Sequence, residues 1–290
     1  MKWTCDVIAK LPEIVEIQRK YVDCTEVVYT AVLGGVDRSQ LREQSIQEGV
    51  CYVAFLDNES LRAAKRLARP PRKVSPWSIE IISGTTLGST LLTQRALKLL
   101  PHLLFRNART TLWIDGKLAL RSHATAAVKK MFSDVLGLGA FRHFARNTLF
   151  EEFEELFKLA IHDCQAMSQQ FEKYCHHAVP LHRLSLLESG VLFRNHSHEK
   201  LTDSSCVWFE EVVKGSKRDQ LSLPWVLNHL NLTGDKFLHV ASFRLRRRYS
   251  EFIRHVKGSK AQSDGRLELC RSGHQAALKC FGMSKQMPLV

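Results

Sequence analysis

Three short runs of apolar and β-branched residues constrain the fold of this chain most, because each of them is followed directly by a glycine or an aspartate. The runs are EVVYTAVL (26–33) before Gly34, VCYVAFL (50–56) before Asp57, and TTLWI (110–114) before Asp115. Apolar runs of this length, bounded by turn residues, are typical of strands buried on both faces of a sheet. The long connections between them favour parallel strands, whose carboxyl ends meet at one edge. The sequence therefore predicts an α/β fold with polar residues gathered at that edge.

Helical patterns lie between and after these strands. Residues 86–100 have apolar side chains at helical spacing and end at Pro101, and residues 148–174 form a longer amphipathic run that we interpret as one helix. Further predictions are strands over 77–82 and 190–193, helices over 123–136, 203–213 and 221–230, and an exposed connection over 60–76. We expect residues 1–235 to form one domain and residues 236–290 to form a basic, partly disordered extension.

The chain has a large excess of positive charge, with 42 Lys and Arg against 29 Asp and Glu and a formal net charge of +13. Such an excess attracts anions, including nucleotide phosphates, nucleic acid and anionic lipids. The densest cluster, residues 244–248 (RLRRR), is either a solvated basic face or a contact for a phosphate or a membrane. No aromatic and basic signature of a nucleic-acid-binding module accompanies it, so we predict no specific nucleic-acid partner.

The sequence contains no apolar run of about 18 residues and no basic and apolar leader at its start. We therefore expect no membrane span in this chain. Two locations stay open, namely the cytoplasm, or the Golgi if an upstream anchor belongs to a longer chain.

The eight cysteines show neither a C-x-x-C pair nor a zinc spacing, and most lie in apolar segments. A free cysteine behaves there as a small apolar side chain. We therefore interpret them as buried free thiols in preference to disulfides or metal ligands.

Asp115 is the strongest single candidate for a functional residue. It follows an apolar strand and precedes Gly116, which leaves room for a ligand close to the backbone. Hard divalent cations bind carboxylate oxygens and often bridge them to phosphates. In a sugar-nucleotide transfer, such a cation neutralises the charge on the departing diphosphate. The alternative is a turn aspartate that only caps the next segment.

A series of motifs occurs in a distinctive order between residues 26 and 230. They are YTAVLGGVD (29–37), CYVAFLDN (51–58), Arg95-x-x-Lys98-x-x-Pro101-His102, WIDGK (113–117), His143-x-x-Arg146 before Phe150-Glu151-Glu152, Glu188 before LFRNH (192–196), CVWFEEV (206–212) and RDQLS (218–222). In this order they resemble the plant mucilage-related and turgor-regulating glycosyltransferase-like family, which is also found in bacteria. No single motif decides the resemblance, but their number and order do.

The resemblance implies a nucleotide-sugar-binding (GT-A-like) mixed sheet flanked by helices, with a helical C-terminal part. It also implies that Asp115 stands where related enzymes carry a metal-binding D-x-D and holds Mn²⁺ or Mg²⁺. The residues expected to contact the nucleotide-sugar donor are Tyr29, Thr30, Gly34, Asp57, Arg95, Lys98, Asp115, Lys117 and Arg194. The residues expected on the catalytic side, facing the sugar and a glycan or lipid acceptor, are Asp219, Glu188 and His196.

Lys117 departs from the family pattern, which has a second carboxylate or an amide at this position. The metal therefore stays an open question, and Lys117 is itself a candidate to bind a phosphate oxygen. Plainer interpretations of other residues also stay open. Without the resemblance, Arg95 and Lys98 would be interpreted as solvated charges that need no further explanation, and Asp219 is a common type of helix cap. Glu151 and Glu152 favour the N-terminus of a helix through its dipole.

We therefore predict a glycosyltransferase of the hexosyltransferase type, which moves a sugar from a nucleoside-diphosphate donor to a hydroxyl acceptor in polysaccharide biosynthesis. One alternative is a lipid-amide hydrolase, because a ceramidase activity has been attributed to a member of the family. The chain contains no G-x-S-x-G or H-E-x-x-H motif for such a reaction. The other alternative is a non-catalytic anion-binding protein, suggested by the net charge.

Overall fold

The computed structural model describes residues 4–35, 46–65, 76–121, 124–160, 163–176 and 181–252, together with Cys270, Ser272 and Gln275. Its strands are β1 (Glu26–Val32), β2 (Val50–Leu56), β3 (Ser78–Ile81), β4 (Thr110–Ile114), β5 (Leu118–Leu120), β6 (Leu138–Arg142), β7 (Leu187–Asn195), β8 (Leu238–Ala241) and β9 (Ser250–Phe252). Its helices are α1 (Cys5–Ile8), α2 (Pro12–Lys20), α3 (Asn58–Lys65), α4 (Thr90–Leu99), α5 (Pro101–Leu104), α6 (Ala124–Met131), α7 (Leu149–Leu159), α8 (Cys164–His176), α9 (Lys200–Lys214), α10 (Asp219–His229) and α11 (Phe243–Tyr249).

Seven of these strands form one mixed sheet in the order β3-β2-β1-β4-β7-β6-β8, and β5 pairs with β9 in a small second sheet. Strands β1 to β4 run parallel to one another, whereas β7 runs antiparallel between β4 and β6. The amino end of β7 therefore lies at the same edge as the carboxyl ends of β1, β2 and β4. This reversal decides which residues of β7 reach that edge.

Both faces of the sheet are buried, which explains why its central strands are continuous apolar runs. Side chains of β1 alternate, so that Val27, Tyr29 and Ala31 enter the larger core while Val28 enters the smaller one on the opposite face. In β4, Trp113 belongs to the larger core and packs edge-on against Tyr29, with ring centroids 5.1 Å apart. The predicted α/β class, with a mixed sheet flanked by helices, is confirmed.

Two predictions about the elements need correction. The run 148–174 is two helices, because Ala160 adopts a left-handed conformation (φ 48°) that ends α7 before α8 begins. The sheet also continues past residue 235, since β8 pairs with β6. The domain therefore reaches further along the chain than the predicted boundary. Of the predicted connection 60–76, residues 66–75 lie outside the described residues. In the described part of the chain, no helix is both long and apolar enough to cross a bilayer.

The prediction of free thiols is wrong. Disulfides join Cys5 to Cys206, Cys24 to Cys51 and Cys164 to Cys270, with Cα–Cα distances of 5.8, 6.0 and 5.0 Å. These separations lie within the range that a disulfide spans. Cys175 is also disulfide-bonded. Spacing along the chain did not reveal these pairs, because their members come from different elements and meet only in the folded sheet and helices.

We predict that a reductant destabilises the folded domain. A disulfide restricts the unfolded chain and typically contributes about 2–4 kcal/mol. Urea unfolding with a reductant should therefore give a free energy of unfolding lower by at least about 2 kcal/mol. The double variant Cys24→Ser/Cys51→Ser should lose part of this stability without any reductant. Alkylation of these two thiols in the native, unreduced protein would contradict the pairing.

Candidate active site

A cavity of about 930 Å³ opens at the carboxyl end of β4, beside the start of β7. The charged residues of its wall are Arg95, Lys98, Asp115, Lys117, Arg121, Arg146, Glu188, Arg218, Asp219, Arg246 and Arg247. Eight of these eleven are basic, so the cavity favours an anionic ligand. Its size is suited to a small molecule or to part of a larger one.

Lys98 forms the centre of the cavity floor. Its side chain is 1% exposed, and its Nζ lies 2.6 Å from Asp219 Oδ2, 3.1 Å from Asp115 Oδ1 and 3.1 Å from Ser189 Oγ. Ser189 Oγ in turn donates to Asp219 Oδ2 at 2.9 Å. Arg95, one helical turn before Lys98 on α4, places Nη2 3.5 Å from Asp219 Oδ1. The interpretations of Lys98 as a solvated charge and of Asp219 as a simple cap are therefore wrong.

Asp115 is surrounded by donors. Its Oδ1 accepts from Lys98 and, at 2.7 Å, from Trp113 Nε1, and its Oδ2 lies 3.4 Å from Lys117 Nζ. Burial alone would raise the pKa of Asp115, but the charges of Lys98 and Lys117 outweigh it and hold the pKa below its usual value. For Asp219, Arg95 and Lys98 overcome burial in the same way and hold the pKa well below its usual value. Both aspartates are therefore ionised at neutral pH.

Two buried side chains hold the backbone of Lys98 on the side away from the cavity. Its backbone carbonyl accepts from the Tyr29 hydroxyl at 2.9 Å and from Arg194 Nη2 at 3.1 Å. Arg194 Nη1 also donates to the Tyr29 hydroxyl at 3.2 Å, and the Arg194 side chain is buried in the core. Tyr29 and Arg194 therefore support the end of α4 beneath the cavity and do not line it.

Four further predicted site residues also lie away from the cavity wall, namely Thr30, Gly34, Asp57 and His196. Asp57 accepts from the backbone amides of Gly34 and Ser60 at 2.6 and 2.7 Å, which joins the loop after β1 to the start of α3. Thr30 is buried in β1. His196 follows the carboxyl end of β7, at the opposite edge of the sheet. Its ring contacts Thr111 Oγ1 at 3.0 Å, and burial lowers its pKa to about 3.

A second ion-pair cluster holds two arginines in the cavity wall. Glu152 in α7 has a fully buried side chain and pairs with Arg146 and with Arg218, whose Nη2 lies 2.7 Å from Glu152 Oε1. Glu151 instead accepts from the backbone amide of Asn147 at 2.7 Å, just before the helix. The two glutamates therefore have separate roles, one as a partner of the arginines and one as a cap.

Glu188 lies at the amino end of β7, and its pKa is shifted in the opposite direction from the pKa values of Asp115 and Asp219. Burial raises its pKa, and the nearby charge of Asp115 adds to this effect, although Arg246 opposes it. Arg246 Nε lies 2.8 Å from Glu188 Oε2, but the two groups are not aligned as a hydrogen bond. Gly190 keeps this corner open, because a Cβ there would lie 3.2 Å from Glu188 Oε1 and 3.7 Å from Asp115 Oδ2.

Sequence reasoning missed Ser189 and Arg246 as residues of this site. Ser189 carries no signal in the sequence beyond its place next to Glu188. Arg246 belongs to the basic cluster 244–248, which was noticed, but nothing in the sequence distinguishes it from its neighbours. In α11 its side chain is 7% exposed and faces Glu188.

The chain matches a family model over most of its length. Residues 12–255 fit the family described as TOD1/MUCI70, glycosyltransferase-like domain. The chain belongs to this family. The matched range includes the whole central sheet and α11, so Arg246 is part of the family domain as well.

Two curated relatives from Arabidopsis thaliana are similar to the chain. One is named probable hexosyltransferase MUCI70 and is 27% identical over 203 residues, which cover 62% of this chain and 32% of the relative. The other, named alkaline ceramidase TOD1, is 25% identical over 233 residues, which cover 72% of this chain and 49% of the relative. The chain thus spans about a third to a half of the length of these relatives.

Two solved glycosyltransferase structures resemble the fold at low sequence identity. Mouse xyloside xylosyltransferase 1 has a TM-score of 0.43 and 10% identity, covering 74% of this chain and 85% of its own. The galactosyltransferase LgtC, in complex with donor and acceptor sugar analogues, has a TM-score of 0.42 and 13% identity, covering 91% and 98%. Similarity at this level assigns no residue of the site.

We predict that Lys98→Met destabilises the protein strongly at neutral pH. The substitution leaves Asp115 and Asp219 buried without their shared cation, which typically costs about 3–5 kcal/mol. In the wild type both pKa values are lowered, so this stabilisation is present above the ordinary pKa of aspartate, about 3.9, and is lost as the pH falls below it.

The difference between the wild type and Lys98→Met should therefore shrink as the pH falls and the unpaired carboxylates of the variant take up protons. Urea unfolding at neutral and acidic pH measures it. Lys20→Met is the matched control, because it removes the partner of Glu80 from a pair in which Lys20 is half exposed. It should cost at most about 1 kcal/mol. An equal loss for Lys98→Met at both pH values would contradict the paired-charge explanation.

Proposed function

We propose that this domain transfers a sugar from a nucleoside-diphosphate donor to a hydroxyl group of a glycan or lipid acceptor. The observation that carries the proposal is the cationic cavity at the carboxyl end of β4, built on the Lys98–Asp115–Asp219 cluster. Membership of a glycosyltransferase-like family and the name of one relative, probable hexosyltransferase, support it.

In this proposal, Arg95 and Lys117 bind the diphosphate. Lys117 is 37% exposed and Arg95 17% exposed, so both present donors to the cavity, whereas Lys98 is buried beneath them. Guanidinium and ammonium groups that are already in place stabilise charge that develops on a departing diphosphate without reorganisation. Asp115 and Asp219 hold these cations in position.

Glu188 is the better candidate for the base that activates the acceptor hydroxyl. Asp219 is committed to Arg95, Lys98 and Ser189 and has a strongly lowered pKa, which makes it a weak proton acceptor. The raised pKa of Glu188 makes it the stronger base in the same cavity. We therefore assign Asp219 to positioning and Glu188 to proton transfer.

A lipid-amide hydrolase is supported less well. The relative named alkaline ceramidase is similar at 25% identity. Ser189, the one serine nucleophile that approaches Lys98 among the described cavity residues, accepts from Lys98 and donates to Asp219. Lys98 donates to this hydroxyl and is engaged by two carboxylates, so it is not placed to activate Ser189 as a nucleophile.

We also propose a location in the secretory pathway. Disulfides persist in oxidising compartments, and several join distant parts of this domain. Of the two locations that the sequence left open, this favours the Golgi.

We predict that at least one nucleoside diphosphate binds and stabilises the protein. Thermal shift with UDP, GDP, ADP and CDP identifies it, and calorimetry then gives its affinity. Arg95→Ala should weaken binding about tenfold or more, because a charged hydrogen bond typically contributes about 1.5–3 kcal/mol. Arg106→Ala is the matched control, since Arg106 is exposed and does not line the cavity. If none of the four binds a correctly folded protein, the proposed function is wrong.

We predict that Glu188→Gln slows transfer about 10²–10⁴-fold, the usual contribution of general acid–base catalysis, while nucleotide affinity stays close to the wild-type value. Because the base must be deprotonated and the pKa of Glu188 is raised, wild-type kcat/KM should fall as the pH drops through a value above the ordinary glutamate pKa of about 4.3. A steady-state pH profile measures this. Unchanged transfer by Glu188→Gln would remove Glu188 from the mechanism.

A further inference from the structure

A transferase that releases a nucleoside diphosphate needs positive charge next to the departing diphosphate. This charge comes either from a divalent cation or from side chains. The sequence left the choice open, because Asp115 favours a metal while Lys117 does not. The contacts of the cavity carboxylates bear on the question directly.

Each carboxylate oxygen of the two aspartates already has a cationic partner, and Asp115 Oδ1 also accepts from a neutral donor. Asp115 has Lys98 and Trp113 at Oδ1 and Lys117 at Oδ2. Asp219 has Lys98 at Oδ2 and Arg95 at Oδ1. A divalent cation bound between the aspartates would take the place of the Lys98 ammonium or lie in contact with it. Like charges at that distance repel strongly in a buried site.

Lys98 is not free to move aside. Its side chain is 1% exposed, its Nζ lies 5.7 Å from the centroid of the Trp113 ring, and its carbonyl is held by Tyr29 and Arg194. Its ammonium group therefore keeps its place between the two aspartates. The place between the aspartates suits an ammonium and does not suit a metal ion.

Among the residues that the structure describes, no cluster of three or more potential metal ligands lies in the cavity. Within that part of the chain, the His, Cys, Asp and Glu side chains whose ligand atoms gather closely are Cys5, His102 and Cys206. They lie outside the cavity, and the two sulfurs are joined to each other in a disulfide. The donor set around Asp115 thus does not fit the metal that the family resemblance implies.

We propose that the cavity binds its nucleoside diphosphate without a divalent cation. Lys98 neutralises the Asp115–Asp219 pair in place of the metal, and Lys117 and Arg95 contact the diphosphate. This inference takes the identity of the ligand, a nucleoside diphosphate, from the proposed function. The exclusion of a divalent cation from the cavity concerns the free protein and is tested without a nucleotide.

The first experiment measures Mn²⁺ binding to the nucleotide-free protein by electron paramagnetic resonance. The wild type should leave the free-ion spectrum unchanged. Lys117→Asp, at a partly exposed position, should bind Mn²⁺, because it replaces a cation beside Asp115 with a second carboxylate. The double variant Lys117→Asp/Asp115→Asn should lose the Mn²⁺ binding that Lys117→Asp gains. Mn²⁺ bound by the wild type and lost in Asp115→Asn would overturn the proposal, whether or not a nucleotide binds.

The second experiment compares nucleotide affinity in excess chelator with affinity in Mn²⁺ or Mg²⁺, using UDP, GDP, ADP and CDP. The wild type should bind its preferred nucleotide equally well in both. Lys117→Asp should bind more weakly in chelator and recover when Mn²⁺ is added, whereas Lys117→Ala should be weak in both. Wild-type binding that needs Mn²⁺ would overturn the inference. Absence of nucleotide binding in every condition would instead count against the proposed function, and the Mn²⁺ measurement would still decide the metal question.

Discussion

The buried ammonium group of Lys98 is the interaction on which the rest of the site depends. A charge in the interior is tolerated only with partners of opposite charge, and Lys98 finds them in Asp115 at the end of β4 and Asp219 at the start of α10. Three elements from distant parts of the chain must therefore meet for any of the three charges to be stable. This requirement ties the end of β4 and the start of α10 to α4 at the floor of the cavity.

The sequence predicted this floor because it follows from a general property of parallel strands. Carboxyl ends of parallel strands share one edge, so an aspartate directly after an apolar run is placed there whatever the details of packing. Helical spacing predicts that Arg95 and Lys98, one turn apart on α4, face the same side, but their place in the site came from the family motif. Asp219 was found only through the family motif, since a charged residue at a helix start is common in any protein.

The same reasoning failed for β7, for a reason visible in the topology. The family motif, together with their position at the end of the predicted strand 190–193, predicts Arg194 and His196 in the site. However, β7 is antiparallel to β4, so its carboxyl end lies at the opposite edge and its amino end, with Glu188 and Ser189, reaches the cavity. Alternation along a strand gives the face on which a side chain lies, but a sequence gives no direction for the strand. Arg194 consequently supports the site from beneath instead of contacting its ligand.

Glu188 and Asp219 show how one cavity shifts the pKa values of two carboxyl groups in opposite directions. Asp219 has two cations and a hydroxyl within reach, whereas Glu188 has the negative Asp115 nearby and is paired with Arg246 without the alignment of a hydrogen bond. The cation comes from α11, just beyond the last strand of the main sheet, in a segment that the sequence suggested was a loose extension. Because β8 joins β6 in the sheet, that segment is held against the cavity. Burial and the charge of Asp115 thus raise the basicity of Glu188, and Arg246, from the C-terminal part of the domain, limits it.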